Sequence, residues 1–452
     1  MKIIIVGDGK VGLALTRQLS HEGHDIVVID NNPRALEQSA ESFDVMVVNG
    51  NGASMATLHQ AGVGSADLLI AATSADEINL LCCLTAQKMS HVHTIARIQN
   101  PEYTDQLVQM REELGLSMTI NPELAVAREI FHLLQLPSFL KRDSFAKGKV
   151  EIVELKVMPG SPLCGIPLHQ LPALARVKVL VCAVERKDDV FIPRGDFVLK
   201  EGDHIYVTAQ ASILATLVEN LGIVTHKIRC VMLVGGGHIA QYLAAMLINI
   251  DVRVKIIEKN PGRCIQLAEL FPDVSVVEAD GSLQQVLLDE GLESIDAVVT
   301  LTGMDEENLV ISMYANHAGV SKVVTKINRL EYTGVFSDMG IGSIVSPKEL
   351  CTTDIVRYVR AMHNTAGSGV LTLHRIVNGK AEALEFLVHT SCRYRDTPLK
   401  NVRLRENVLI SCITHNGRTI IPDGDSSFTA GDTIIVVTTS ERPFNRLNDI
   451  FI

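Results

Sequence analysis

Apolar residues in the first quarter of the chain fall in short continuous runs separated by amphipathic stretches. The runs at 2–6, 25–29, 45–48, 67–72 and 93–98 are rich in β-branched residues, the pattern of strands covered on both faces. Between them, 11–21, 33–41, 54–61, 76–89 and 102–113 place apolar residues at helical spacing. Strand–helix–strand alternation with right-handed crossovers predicts a doubly wound parallel sheet. The same succession returns with strands at 230–234, 252–257, 274–278, 295–301 and 322–327. An amphipathic helix follows each module. Asn121-Pro122 opens one, with Leu124, Ala127, Ile130, Phe131 and Leu134 on one face; Pro347 precedes the other, with Ile355, Tyr358 and Met362 similarly spaced. Such helices either pack on their own module or bridge to another module or subunit.

Two strand-rich segments complete the pattern. Both carry a Pro-Leu turn, a strand, Ile-Pro-x-Gly-Asp and a second Gly-Asp before a final strand: Gly195-Asp196 and Gly202-Asp203 match Gly424-Asp425 and Gly431-Asp432. The expected class is α/β: two doubly wound parallel-sheet (Rossmann-like) domains, each followed by a small α+β domain. The division is 1–121, a linking helix at 122–149, a small domain at 150–222, a second nucleotide-binding domain at 229–346, a linking helix at 347–368 and a small domain at 369–452. At about 70 residues the small units are near the lower limit for folding alone, so pairing with a copy of themselves would extend their cores.

The two modules share a fingerprint. Residues 2–12 read KIIIVGDGKVG and residues 230–240 read CVMLVGGGHIA. Gly7 and Gly235 make the turn; Gly9 and Gly237 let backbone approach a pyrophosphate; Gly12, replaced by Ala240, permits close helix–strand packing. Asp8, Lys10 and Val11 complete the first turn, His238 and Ile239 the second. Phosphates would sit on free amides at the helix start. Asp30 and Glu258 follow at equal intervals and end the second strand, where a carboxylate can accept bonds from ribose hydroxyls. A 2′-phosphate at about 4 Å would meet about 4 kcal/mol of repulsion at an effective dielectric near 20. NAD(H) or an adenosine nucleotide is therefore favoured over NADP(H), with Lys259 leaving the second preference open. The plainer alternatives are a tight turn and a solvated strand end.

Further matches surround the same sheet edge. Thr73-Ser74 leads into Asp76, Glu77 and Asn79, as Thr302 leads into Asp305, Glu306 and Asn308. The threonines either line a ligand or cap the next helix. Asn51 and Asp280 precede Gly52 and Gly281, which start another helix; they either contact adenine or cap. Arg97 and Lys326 end the fifth strand, leading into ARIQNPEY and TKINRLEY. There a cation reaches a terminal phosphate or forms a surface salt bridge.

Composition removes several classes. The 452 residues are 47% apolar and carry a net charge of −11, which argues against non-specific binding to nucleic acid or anionic lipid. Nine cysteines include no Cys-x-x-Cys pair, so buried reduced thiols in a reducing compartment are expected and no metal site is. The N-terminal stretch lacks the length and cleavage site of a signal peptide. The apolar run 231–250 is broken by Gly235, Gly236, Gly237, His238 and Gln241, so no membrane span is expected. No tyrosine is followed four residues later by lysine, and no His-Glu-x-x-His, Gly-x-Ser-x-Gly or Walker A motif occurs. A dinucleotide site without acid, base or substrate pocket suggests sensing rather than catalysis.

VGDGKVG and VGGGHIA, VIDNNP and IIEKNP, TSADEIN and LTGMDEEN, with ARIQNPEY, resemble the TrkA family of potassium-uptake regulators, built from RCK (regulator of K⁺ conductance) domains in the order TrkA-N, TrkA-C, TrkA-N, TrkA-C. The resemblance covers essentially the whole chain. It implies a non-enzymatic homo-oligomer, a tetrameric ring on the cytoplasmic face of the inner membrane, joined to a transmembrane TrkH/TrkG-type potassium transporter subunit. It also implies NAD(H), with ATP and ADP as regulatory ligands. By similarity Gly7, Gly9, Lys10, Gly12, Asp30, Asn51, Thr73 and Arg97 line the first pocket, and Gly235, Gly237, Glu258, Asp280, Thr302 and Lys326 the second. The family's common acid is absent at Asn51 and retained at Asp280, which leaves adenine contacts in the first pocket open. The rival readings are an NAD-dependent oxidoreductase and a nucleotide-sensing subunit of a different channel or transporter.

Overall fold

A computed structural model describes the chain apart from residues 112, 137, 146–148, 188, 224–226, 329–342, 364–369, 378–379, 440–443 and 445. The first module runs β1 (Lys2–Val6), α1 (Lys10–His21), β2 (Asp25–Asp30), α2 (Pro33–Ser42), β3 (Met46–Asn49), α3 (Met55–Gln60), β4 (Leu68–Ala71), α4 (Asp76–Met89), β5 (His93–Arg97), α5 (Pro101–Met110) and β6 (Met118–Ile120). Its strands form a parallel sheet in the order β3-β2-β1-β4-β5-β6. The order reverses between β1 and β4, which opens a crevice at the carboxyl ends of those strands. All of β4 and most of β1 and β2 are buried, as the unbroken apolar runs require. The sixth strand was not expected: Met118–Ile120 is three residues long, too short for a periodic signal.

Helix α6 (Pro122–Gln135) leads to the first small sheet, made of β7 (Lys141–Phe145), β8 (Val150–Lys156), β9 (Leu180–Arg186), β10 (Asp189–Phe191) and β11 (His204–Gln210), with helices α7 (Leu171–Ala175) and α8 (Leu214–Asn220). Its order is β10-β9-β11-β8-β7, antiparallel throughout. The segment 122–149, expected as a linking helix, therefore also supplies an edge strand paired to β8.

The second module repeats the first: β12 (Cys230–Val234), α9 (His238–Ile248), β13 (Arg253–Glu258), α10 (Pro261–Leu270), β14 (Ser275–Glu278), α11 (Gln284–Asp289), β15 (Ala297–Thr300), α12 (Asp305–His317), β16 (Lys322–Lys326) and β17 (Ser343–Val345). The parallel order is β14-β13-β12-β15-β16-β17. Helix α13 (Pro347–His363) precedes β18 (Val370–Ile376), β19 (Ala381–Leu387), β20 (Val408–His415), β21 (Arg418–Ile420) and β22 (Thr433–Thr438). These pair antiparallel as β18-β19-β22-β20-β21.

The linking helices cross over. Val126, Ala127, Ile130, Leu133 and Leu134 of α6 bury against Leu243, Ala244 and Leu247 of α9, in the other module. Cys351, Ile355, Val356 and Val359 of α13 bury against Leu15 and Leu19 of α1. Each large apolar side chain so buried contributes about 2 kcal/mol. The α6 face is rotated from the expected one: Leu124 is half-buried, and Val126 and Leu133 take its place in the core. The small sheets also share a core, in which Phe145, Ile152, Cys182 and Tyr206 meet Ile376, Ala383, Cys412 and Val437.

Polar contacts lock each crossing. Arg360 on α13 donates to both carboxylate oxygens of Glu22, at 2.9 and 2.6 Å. Burial pushes the Glu22 carboxyl up, and the guanidinium outweighs it, so the group lies below its ordinary value. At the other crossing Asn121 Nδ2 donates to Tyr242 Oη on α9 at 2.8 Å and to Thr104 Oγ1 at 2.9 Å. The cysteines are free, and burial holds the Cys82 thiol up at about 12.

Arg360→Ala strands a mostly buried carboxylate at a cost of about 3 kcal/mol; urea unfolding is expected to begin at lower denaturant. Because the folded Glu22 is depressed, the native pair stabilises above the unfolded carboxylate's pKa and loses that contribution as acid protonates it. A Cβ on Gly12 would lie 1.8 Å from the Gly7 carbonyl oxygen. Gly12→Ala is therefore expected to cost about 2–3 kcal/mol, seen as a lower calorimetric unfolding midpoint.

Candidate functional site

Each module closes β1 or β12 with a turn that only glycine fits. Gly7 has φ +97° and Gly235 φ +108°, a region costly for other residues. A Cβ on Gly7 would come within 2.9 Å of the Thr73 amide nitrogen, and one on Gly235 within 2.8 Å of the Leu301 carbonyl carbon. The turns are anchored by Gly7 N–H donating to Ile29 O and Gly235 N–H to Ile257 O, both at 2.8 Å.

Helices α1 and α9 then begin on Gly9 and Gly237 without a side-chain cap. By contrast α2, α5, α6 and α10 each begin on an asparagine, whose side chain accepts an amide, and a proline. The first-turn amides of α1 and α9 thus lack the side-chain acceptor that helix starts favour. A Cβ built on Gly9 or Gly237 meets no heavy atom within 4 Å, so the space before these amides is open to a phosphate. Lys10 and His238 flank it, exposed, whereas the side chains of Val11 and Ile239 turn into the core.

The acids stand beside the turns. Asp30 Oδ2 accepts the Asp8 amide and Oδ1 the Asn32 amide, both at 2.7 Å. Glu258 Oε2 accepts the Gly236 amide at 2.7 Å and Oε1 the Asn260 amide at 2.8 Å. A carboxylate has about four acceptor positions, so each acid braces its turn and keeps capacity for hydroxyl donors. The side chain of Asp8 points elsewhere: its Oδ2 accepts from Ser39 Oγ on α2 at 2.7 Å.

The Thr-x-x-Asp-Glu-x-Asn segments prove to be fasteners. Fully buried Asn79 accepts the Thr73 amide at 2.8 Å and donates to Thr73 O and Arg97 O at 3.2 and 2.9 Å. Asn308 repeats this with Thr302 and Lys326. Asp76 accepts the amides of Gln99 and Asn100, and Asp305 that of Asn328. Thr73 and Thr302 do not cap the following helices, which begin on Ala75 and Met304; their hydroxyls bond within the turn that carries exposed Ser74.

Asn51 and Asp280 make local turns. Asn51 accepts the Ala53 amide, and Asp280 accepts the amide and hydroxyl of Ser282, which hold its carboxyl below the ordinary value. Gly52 and Gly281 do not start helices; α3 and α11 begin at Met55 and Gln284. Their smallness is needed because a Cβ would fall 2.2 Å from Val6 Cγ1 or 2.4 Å from Val234 Cγ1. Arg97 pairs with Glu123 at 3.4 Å, both side chains below 20% exposed. Lys326 Nζ donates to Thr302 O at 2.6 Å. Burial holds Lys326 below its ordinary value, Asp305 opposes this and Lys10 adds to it. Lys10 and Lys326 lie at the fingerprint turn of one module and the fifth strand of the other, so the two crevices approach each other. Arg329, Leu330, Glu331 and Tyr332 of the second closing motif lie outside the described residues. Sequence reading missed Ser39, which pairs with Asp8, and Arg263, whose Nε donates to Gly236 O at 2.7 Å. Neither recurs in the other copy, where Leu267 and Ala35 stand, so the duplication gave no signal for them.

Comparison with known proteins matches this arrangement. The TrkA-N domain model fits residues 3–122 and 231–347, and the TrkA-C domain model fits 152–222 and 383–451. A Trk system potassium uptake protein TrkA homolog from Methanosarcina mazei is 35% identical, covering 96% of this chain and 97% of its own. The Trk system potassium uptake protein TrkA of Halomonas elongata is 30% identical over 100% of this chain and 98% of its own. In fold, the chain resembles the GsuK channel bound to NAD, with TM-score 0.63 and 19% identity over 97% of this chain and 77% of that one. It also resembles GsuK bound to ADP, with TM-score 0.52 and 16% identity over 80% and 69%. With both domain models matched twice and the relatives covered end to end, the chain belongs to the TrkA family of Trk system potassium uptake proteins.

Proposed function

We propose that the chain is a nucleotide-binding regulatory subunit of potassium uptake, whose ligand-dependent shape change gates a transmembrane TrkH/TrkG-type transporter from the cytoplasmic face of the membrane. The observation that carries this is the pair of crevices, each with an uncapped helix start behind a glycine turn and an acid at the second strand's end. Gly7, Gly9, Lys10, Gly12, Asp30, Thr73 and Arg97 form one binding surface, with the turn residues Asp8, Val11, Ser74 and Asn51 around it. Gly235, Gly237, His238, Ile239, Glu258, Asp280, Thr302 and Lys326 form the other. NAD(H) fits by placing its pyrophosphate on the amides and its adenosine ribose on the acid; ATP and ADP fit by the same adenosine. The named TrkA relatives support the potassium-uptake role, and the GsuK structures bound to NAD and ADP support the ligand class.

A ligand shifts conformation only by its differential affinity for two states. The crossed helices supply a route: α1 and α9 carry the phosphate-facing amides and also bear α13 and α6. Ligand at one turn therefore acts on the packing that joins the halves, and a coupling of about 1–3 kcal/mol per site is typical. A tetramer would sum these increments at the transporter. Among the described residues no helix is long and apolar enough to cross a membrane, so the link to the membrane runs through the partner. The domain division given above completes the proposal, with β7 joining the first small sheet.

Isothermal calorimetry on the full chain is expected to show binding of NADH and of ATP, with neither consumed. Asp30→Ala and Glu258→Ala are each expected to weaken one class of sites about tenfold to a hundredfold, as loss of charged hydrogen bonds predicts. Unchanged affinity in both variants would remove the ribose assignment, and steady NADH oxidation with a small substrate would favour an oxidoreductase.

A further inference from the structure

The two crevices differ most sharply between the first and second glycines. Asp8 stands where the second copy has Gly236. The residue is 7% exposed, and its Oδ1 is buried with no hydrogen-bond partner. Its Oδ2 accepts from Ser39 Oγ, while its own amide is held by Asp30. In the second copy Leu267 replaces Ser39, and a Cβ on Gly236 would come within 2.7 Å of Leu267 Cδ1 and 3.1 Å of Glu258 Cβ. The exchange is thus paired: an acid with a hydroxyl in one half, a bare backbone with a leucine in the other. A buried carboxyl with an open oxygen is costly for packing alone.

Its surroundings raise the carboxyl above its ordinary value. Asp25 and Asp30 on β2, Arg34, Glu37 and Glu41 on α2, and Lys10, Arg17 and His21 on α1 are the charged or titratable groups of these three elements. Of these Asp30 is the one that shifts Asp8. Burial raises the Asp8 carboxyl most, the Ser39 hydroxyl opposes it, and Asp30 adds to the rise. A pyrophosphate on the amides of α1 would add negative charge beside it.

We infer that a nucleotide enters the first crevice together with a proton taken up by Asp8, an acid that the second crevice, with Gly236, lacks. This rests on the nucleotide-binding reading above. The sign is fixed by like charge: bound phosphate favours the protonated acid, so the complex holds the proton more tightly than the free crevice. Affinity is highest in acid and declines as pH rises between the free and the liganded titration, by up to about tenfold per pH unit for one proton. Beyond that window it levels off.

The test uses the full chain carrying Glu258→Ala, to confine ribose-dependent binding to the first crevice, with NADH as probe. Calorimetry at one pH in two buffers of different ionisation heat is expected to reveal up to one proton taken up per NADH, with affinity falling as pH rises. Asp8→Asn in the same background is expected to bind NADH without uptake and without the pH slope. The double substitution Asp8→Gly with Ser39→Leu, native to the other half, should do the same should the asparagine variant fold poorly. Equal heats in both buffers across the range while NADH binds, or uptake that persists without Asp8, would overturn the linkage and leave nucleotide binding standing. Absence of NADH binding by the native chain would remove both.

Discussion

Helices α6 and α13 bury their apolar faces on modules other than the ones that precede them, and this exchange governs the molecule. Val126 and Ile130 join the core of the second module, and Ile355 and Val359 that of the first. Neither module is closed without the other. The crossing also places the fifth-strand cation of one half near the fingerprint lysine of the other. The small sheets, each meagre by itself, meet in a common core around Tyr206 and Cys412. Nucleotide geometry, half-to-half contact and small-domain packing are therefore not separable properties.

Within each crevice one acid has two tasks. Asp30 and Glu258 accept two backbone amides apiece and so preset the curve of the glycine turn. The buried asparagines Asn79 and Asn308 fasten the ends of the fourth and fifth strands. The floor is consequently held at both strand ends, and the helix that starts at the glycine turn is also the element the crossing helix rests on. Preorganisation of this kind lowers the ordering cost of binding.

Much of this was legible in the residues. The β-branched runs located five strands of each parallel sheet because burial on both faces leaves an unbroken apolar string. The three-residue strands β6 and β17 carried no period, and β7, reading KRDSF, looks polar because its charges are satisfied by pairing inside the fold, Arg142 with Glu151 and Asp143 with His374. The glycine spacing and the acids were visible because duplication printed them twice. Ser39 and Arg263 were not, since each exists in one half only. The direction of α6 was open for a physical reason: helical periodicity shows that a face is buried and is silent about what buries it. Residues whose worth is a fastening bond, such as Asn79 and Asp76, showed only as parts of a repeated motif, because spacing along the chain does not reveal which strand ends a side chain ties together.

Because the exchanged helices belong to one polypeptide, their partners cannot be diluted away. A tether of this sort presents the second half at an effective concentration in about the millimolar range, so the crossed arrangement persists however scarce the protein is. Covalent linkage also frees the halves from self-matching. A symmetric pair must accept any change twice, at both ends of the same axis. Here Glu22 can hold one crossing and Tyr242 the other, and a carboxyl can enter one glycine turn while its twin stays bare. Fusion thereby turns a repeated module into two instruments free to drift apart.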